Sequence, residues 1–207
     1  MKYLVFDFDG VLGNTIDCAL EAHVKSGYFE TLEEAKVDMQ AYINSKPKHI
    51  RNHTLTEEEM LAEHAWVKAL GANMHAIGFT LFESFIDEIK KLEDVKIAIV
   101  STGSEVYVKP AVLKTGLSPT HVLTFEDHHS KEEKIERVAK DWGVEVKEVY
   151  YFTDTLADVY ELKDLISSGK LIGVSWGFCR AEALESELGK DRVLQKPEDI
   201  HTILKYA

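Results

Sequence analysis

The chain opens on a short apolar run, Tyr3-Leu4-Val5-Phe6, that ends at two acids, Asp7 and Asp9, and at Gly10. An apolar run of that length with so abrupt a polar end predicts one buried strand followed by a sharp turn. From Thr15 the spacing becomes helical, and one helix is expected from Thr15 to about Ser26. Thr31 with Glu34 has capping-box spacing and opens a second helix running to about Ser45. Thr56 with Glu59 repeats the signal and opens a third, ending near Gly71. No strand pattern interrupts residues 15–78, which therefore read as an all-helical insertion. After Gly78 an amphipathic stretch, Leu81 to Leu92, carries Phe82, Phe85, Ile86 and Ile89 at helical spacing.

Beyond Glu93 the rhythm changes to strand, helix, strand, helix. Strands are predicted at Lys96–Val100, Val122–Phe125, Val149–Phe152 and Leu171–Val174. Between and after them, helices are expected to Lys114 with Gly116 as the stop, over Lys131–Trp142 with Gly143 as the stop, and over Leu156 to about Ser168. Two late helices follow, Ala181–Leu188 and Pro197–Lys205, the second with proline at a permitted first-turn position. This alternation predicts an α/β fold: a doubly wound, Rossmann-like parallel sheet with right-handed crossovers and an inserted all-helical domain. The core domain would comprise residues 1–14 and 79–207, and the insertion residues 15–78.

Composition narrows the function without naming it. The 207 residues are 45% hydrophobic and 29% charged, ordinary for a folded globule with a sizeable core. The formal charge of −12 argues against a nucleic-acid partner or an anionic membrane surface, both of which need clustered cations. The first apolar run stops at Asp7, too early for a signal peptide or a spanning helix. Cys18 and Cys179 lack metal-ligand spacing and stand too far apart in sequence to suggest a disulfide framework, so a reduced cytoplasmic protein, monomer or homodimer, is expected. One basic cluster breaks the acidic trend, Lys46 to His53; it reads as a solvated connection between helices, with contact to an anionic substrate as the sharper alternative.

The chemistry gathers at strand ends. In an extended strand, positions two apart face the same side, so Asp7 and Asp9 converge at the carboxyl edge of the first strand. The second strand ends at Ser101 and the fourth at Asp154, with Asp158 four residues on; Lys131 opens the helix between the third and fourth strands. A parallel sheet brings all these ends to one crevice. Several carboxylates there suit a hard ion such as Mg²⁺, which keeps waters and binds phosphate oxygens. A hydroxyl and a lysine beside them favour phosphoryl chemistry over calcium binding, and an EF-hand loop fits badly because Cys18 occupies its closing glutamate position. His128 and His129 read as loop histidines, since this site calls for oxygen donors.

These residues resemble the haloacid dehalogenase-like (HAD) hydrolases. Asp7-Phe8-Asp9-Gly10-Val11 looks like that family's first motif, Ser101-Thr102-Gly103 its second, Lys131 its third and Thr153-Asp154-Thr155-Leu156-Ala157-Asp158 its fourth. The helical insertion stands where the family places a small cap. The resemblance implies that Asp7 is a nucleophile forming an aspartyl-phosphate, and that Asp9 is general acid and then base. It implies phosphate-binding roles for Ser101, Thr102, Gly103 and Lys131. It further implies Mg²⁺ at Asp7, Asp9 (through its main-chain carbonyl) and Asp154, with Asp158 a ligand or an anchor behind the ligands.

The chain departs from the pattern at Thr153, where the family commonly has glycine, and at Asn14, where it often has an acid; Lys134 competes with Lys131 as the site lysine. The expected activity is Mg²⁺-dependent hydrolysis of a small soluble phosphomonoester. Alternatives are a phosphomutase acting on a sugar phosphate and, from another class, a phospho-aspartate receiver or scaffold. A dehalogenase needs neither a protonating acid nor a metal, so Asp9 and Asp154 disfavour it.

Overall fold

The computed structural model describes residues 1–44 and 57–206. The basic cluster Lys46 to His53 and the cap residue Thr56 lie outside the described residues. Six parallel strands form the central sheet: β1 (Lys2–Phe6), β4 (Val95–Val100), β5 (His121–Leu123), β6 (Val149–Thr153), β7 (Leu171–Val174) and β8 (Val193–Leu194). Their spatial order is β5-β4-β1-β6-β7-β8. The chain winds from β1 outward through β4 to β5, then returns across β1 to wind the other way through β6, β7 and β8. The direction reverses between β1 and β6, and ligands of open α/β sheets bind at such a switch point.

Period-two alternation explains why both faces of the sheet are covered. Leu4 and Phe6 of β1 face one apolar cluster, together with Ile99, Phe152 and Ile172. Val5 faces the other, with Ala98, Val100, Tyr151 and Leu171. On the first face lie α4 (Glu83–Lys90), α5 (Glu105–Thr115) and α9 (Asp199–Tyr206), burying Phe85, Ile86, Val108, Val112 and Ile200. On the second lie α6 (Lys131–Trp142), α7 (Leu156–Leu162) and α8 (Ala181–Leu188), burying Ile135, Val138, Val159, Leu162 and Leu184. A strand buried on both faces needs apolar side chains at successive positions, which is why these strands read as continuous runs.

Between β1 and α4 the chain forms α1 (Ile16–Lys25), α2 (Leu32–Ile43) and α3 (Glu57–Ile77). Thr31 caps α2 as the spacing predicts: its hydroxyl accepts from Glu34 N at 3.2 Å while the Glu34 carboxylate accepts from Thr31 N at 3.3 Å. The strand entering the insertion and the strand leaving it pair as a two-residue antiparallel ladder, β2 (Gly13–Asn14) with β3 (Thr80–Leu81).

Several expected boundaries shift, each for a physical reason. Gly71 does not end α3; the helix runs on to Ile77 and stops at Gly78, whose φ is +82°. Gly71 instead lets α3 approach α5, since a Cβ there would lie 2.5 Å from Ser104 Cβ. The stretch from Leu81 begins with ladder pairing to Gly13, so α4 starts at Glu83. β5 stops at Leu123 because the next turn takes over: Thr124 N donates to the Asp127 carboxylate and Phe125 N to Gly103 O. α7 ends at Leu162 rather than near Ser168, as Leu165 and Ile166 turn back to donate to Leu162 O. β2, β3 and β8 are additions; two residues are too few to show a period.

Candidate active site

Asp7 follows β1 directly, and its N–H donates to Phe152 O of the neighbouring β6 at 2.9 Å. Both strands thus deliver their acids to one edge. The turn after Asp9 is tight: Gly10 N donates to Gly13 O at 2.8 Å, and Gly13 N to Phe8 O at 2.9 Å. Gly10 has φ +72°, and a Cβ on it would sit 1.9 Å from Asp154 Oδ2. Only glycine permits both that backbone conformation and that approach, so the first acidic turn and the Asp154 carboxylate are packed against each other.

Lys131 joins residues from the two ends of the chain. Its Nζ lies 2.6 Å from Asp7 Oδ2 and 2.6 Å from Asp158 Oδ2, with all three side chains nearly buried. Lys134, the competing lysine, is buried too, but its ammonium donates to the Ser101 and Thr124 main-chain carbonyls at 2.5 and 3.2 Å. The geometry therefore puts Lys131, not Lys134, beside Asp7. The Ser101 hydroxyl is 3.3 Å from Asp9 Oδ2 and accepts from Gly103 N at 2.8 Å. Thr102 and Gly103 line the adjoining cavity, as does Asp9. The structure thus gathers Asp7, Asp9, Ser101, Thr102, Gly103, Lys131, Asp154 and Asp158 around one sheet edge.

A family model described as haloacid dehalogenase-like hydrolase matches residues 4–164. The chain belongs to this family. No curated protein sequence matches it. Among solved structures, a hydrolase from Pseudomonas syringae superposes with a TM-score of 0.73 at 17% identity, covering 100% of both chains. CbbY from Rhodobacter sphaeroides, in complex with phosphate, superposes at 0.65 with 18% identity, covering 97% of this chain and 96% of its own. A phosphoserine phosphatase, as a phospho-aspartyl intermediate analogue, superposes at 0.60 with 19% identity, covering 99% and 98%. At these identities the likeness establishes the fold.

In this HAD-like hydrolase the electrostatics separate the acids. Burial, reinforced by the neighbouring Asp158, Asp154 and Asp9, pushes Asp7 well above the usual carboxylate range against the opposing pull of Lys131. Burial would also raise Asp158, but the Lys131 charge and donors from Lys131 and Thr153 hold it low. Burial pushes Asp154 up to about 7, with the Phe178 N–H opposing and Asp158 adding to the rise. Asp9 is raised by burial too, against donors from Thr15 and Tyr107. Lys134 is depressed to about 7 by burial and by the charge on Lys131.

Asp154 tests whether a cation fits. Its Oδ2 accepts from Phe178 N at 2.6 Å, while its Oδ1 is buried with no hydrogen-bond partner. A buried carboxylate oxygen left open beside another acid is what a hard cation would satisfy. Among the described residues no three His, Cys, Asp or Glu side chains are arranged to enclose an ion. Mg²⁺ does not require such a cage, because it keeps several of its waters and takes one or two carboxylates. The donors therefore fit it.

Several supporting residues were not evident from sequence. Thr15 Oγ1 donates to Asp9 Oδ1 at 2.8 Å and the Tyr107 hydroxyl to Asp9 Oδ2 at 2.8 Å. Asp158 Oδ2 also accepts from Thr153 at 2.7 Å and from Tyr151 at 3.1 Å. Glu161 caps the start of α6, accepting from Lys131 N at 2.8 Å. Thr153 was visible as a departure from the family's glycine. It causes no backbone conflict, since Asp94 is the only non-glycine residue with positive φ among the described residues. Its hydroxyl instead supports the acid that holds Lys131.

Proposed function

We propose that this chain is a Mg²⁺-dependent phosphomonoester hydrolase acting on a small phosphorylated metabolite. The observation that carries the reading is the buried Lys131 ammonium shared by Asp7 and Asp158 at 2.6 Å each. That arrangement counters charge on an incoming phosphoryl group, and together with a divalent cation beside Asp7 would oppose the burial that raises it, leaving a carboxylate able to attack. Asp7 attacks phosphorus, forming a carboxylate oxygen–phosphorus bond as the bond to the leaving oxygen breaks. Asp9 delivers a proton to that oxygen, which its raised pKa favours. It then takes a proton from a water that attacks phosphorus, releasing phosphate and restoring Asp7. The Ser101 hydroxyl, oriented by the Gly103 N–H, and the Thr102 N–H would hold the phosphoryl oxygens.

Mg²⁺ held by Asp7, Asp154 and the Asp9 main-chain carbonyl would offset the charge on those oxygens. Asp158 is assigned as the anchor of Lys131, since its Oδ2 already accepts from Lys131, Tyr151 and Thr153. Residues 15–78 are assigned as a cap, whose described helices α1 to α3 wall the cavity above Asp9. Cys18 and Cys179 are buried free thiols, in keeping with a cytoplasmic enzyme, and no described helix is long and apolar enough to cross a membrane. The test is turnover of p-nitrophenyl phosphate. It should require Mg²⁺, stop with chelator and vanish in Asp7→Asn; activity that survives Asp7→Asn refutes the mechanism.

A further inference from the structure

The cavity above Asp9 supports an inference that rests on the phosphatase reading and adds a substrate class to it. Its volume is about 450 Å³, enough for a phosphoryl group and a modest leaving group. Asp9, Thr102 and Gly103 form its floor, and α1 to α3 supply most of its walls. One wall is a cluster of rings. The Tyr28 centroid lies 5.4 Å from that of Trp66 and 4.8 Å from that of Phe29, and the His23 ring lies 5.9 Å from Trp66. Met39 and Tyr42 of α2 extend the apolar lining.

The faces of these rings and the Met39 side chain favour an apolar or aromatic body. Charge narrows the choice further. Besides Asp9 on the floor, the acidic side chains lining the cavity are Asp38 of α2 and Glu63 of α3; the described lining contains no lysine or arginine, and its basic groups are the imidazoles of His23 and His129. Glu63 is half-buried and Asp38 exposed. A leaving group bearing a carboxylate or second phosphate would be repelled by both. An ammonium would be attracted by these carboxylates and by the ring faces of Trp66 and Tyr28.

We propose that this cavity selects phosphomonoesters whose leaving group has an apolar or aromatic body and carries an ammonium group. Trp66 and Tyr28 would pack against the body, and Glu63 and Asp38 would face the charge. The test uses the full chain with Mg²⁺ and three aryl phosphates of similar size. These are tyramine phosphate, its uncharged para-alkylphenyl counterpart, and the phosphate of para-hydroxyphenylpropanoate.

The proposal expects kcat/KM to fall about tenfold from the ammonium compound to the neutral one, and about tenfold again to the carboxylate. In the double variant Glu63→Gln, Asp38→Asn, the ammonium-to-neutral ratio should fall toward one. Trp66→Ala should raise KM for all three. Rapid turnover with equal kcat/KM, or with the carboxylate preferred, overturns the cavity assignment and leaves the phosphatase reading intact. No turnover of these compounds or of p-nitrophenyl phosphate overturns both.

Discussion

Replacing Lys131 by methionine removes one buried charge and strands the Asp158 carboxylate that it holds low. The ammonium is 2.6 Å from both Asp7 Oδ2 and Asp158 Oδ2, and the three side chains are only 3–7% exposed, so solvent cannot replace it. At an effective dielectric constant near 20, a unit-charge pair at contact distance attracts by several kcal/mol, most of it offset by desolvation. Removing one partner of a buried pair, without relieving the other's desolvation, costs about 3–5 kcal/mol. Lys131→Met should lose about that much near neutral pH, measured without Mg²⁺ by urea unfolding followed by circular dichroism. The pH dependence gives the sharper check. In the parent chain Asp158 is held low, so its contribution is present above its unfolded pKa and is lost as pH falls through the folded value. In the variant Asp158 loses that cation and burial raises it above its unfolded value, while Asp7, raised already in the parent, rises further. Folded carboxyls then hold protons that the unfolded chain has released, so the variant's stability falls as pH rises through the carboxylate range and recovers on acidification. The gap between parent and variant should therefore be widest near neutrality and narrow toward about pH 4. A loss below about 1 kcal/mol, or one unchanged across that range, would refute the buried triad.

Thr153→Val keeps the shape and deletes the hydroxyl that donates to Asp158 at 2.7 Å; a stability loss of about 1.5–3 kcal/mol is expected by denaturant titration. Lys134 is depressed to about 7 when folded. The unfolded chain holds that proton to about pH 10.4, so this residue adds stability progressively as pH rises above about 7. Parent stability minus that of Lys134→Met should therefore climb between about pH 7 and 9, and a flat difference would contradict the assignment. Gly10→Ala forces a Cβ to within 1.9 Å of Asp154 Oδ2 at a positive φ. It should cut Mg²⁺-dependent activity by at least about a hundredfold, through displacement of the whole Asp154 carboxylate, and weaken Mg²⁺ binding by calorimetry.

The doubly wound sheet was legible because burial on both faces leaves strong marks: continuous apolar runs such as Val149-Tyr150-Tyr151-Phe152, then helices with clear stops such as Gly116 and Gly143. The acids at the strand ends were legible for the same reason, since a polar residue ending a buried run must face the sheet edge. What escaped was whatever depends on contacts distant in sequence. The β2–β3 ladder joins Gly13 to Leu81, too short to show a period. Tyr107 reads as an ordinary helix residue until α5 places its hydroxyl on Asp9, ninety-eight positions earlier. Gly71 looked like a helix stop because glycine serves both for left-handed turns and for close approach, and only packing against Ser104 separates the two. Lys131 and Lys134 open the same helix, and their different partners, a carboxylate pair and two main-chain carbonyls, belong to tertiary structure alone.

The central claim, that Asp7 itself carries the phosphoryl group, is open to direct chemical trapping. The enzyme would be acid-quenched during steady-state turnover with Mg²⁺ and treated with labelled borohydride, which reduces an acyl phosphate to the alcohol, and its peptides would then be mapped. Label appearing as homoserine at position 7 is the predicted result. Label at another residue, or rapid turnover that leaves every carboxylate unreduced, would contradict it.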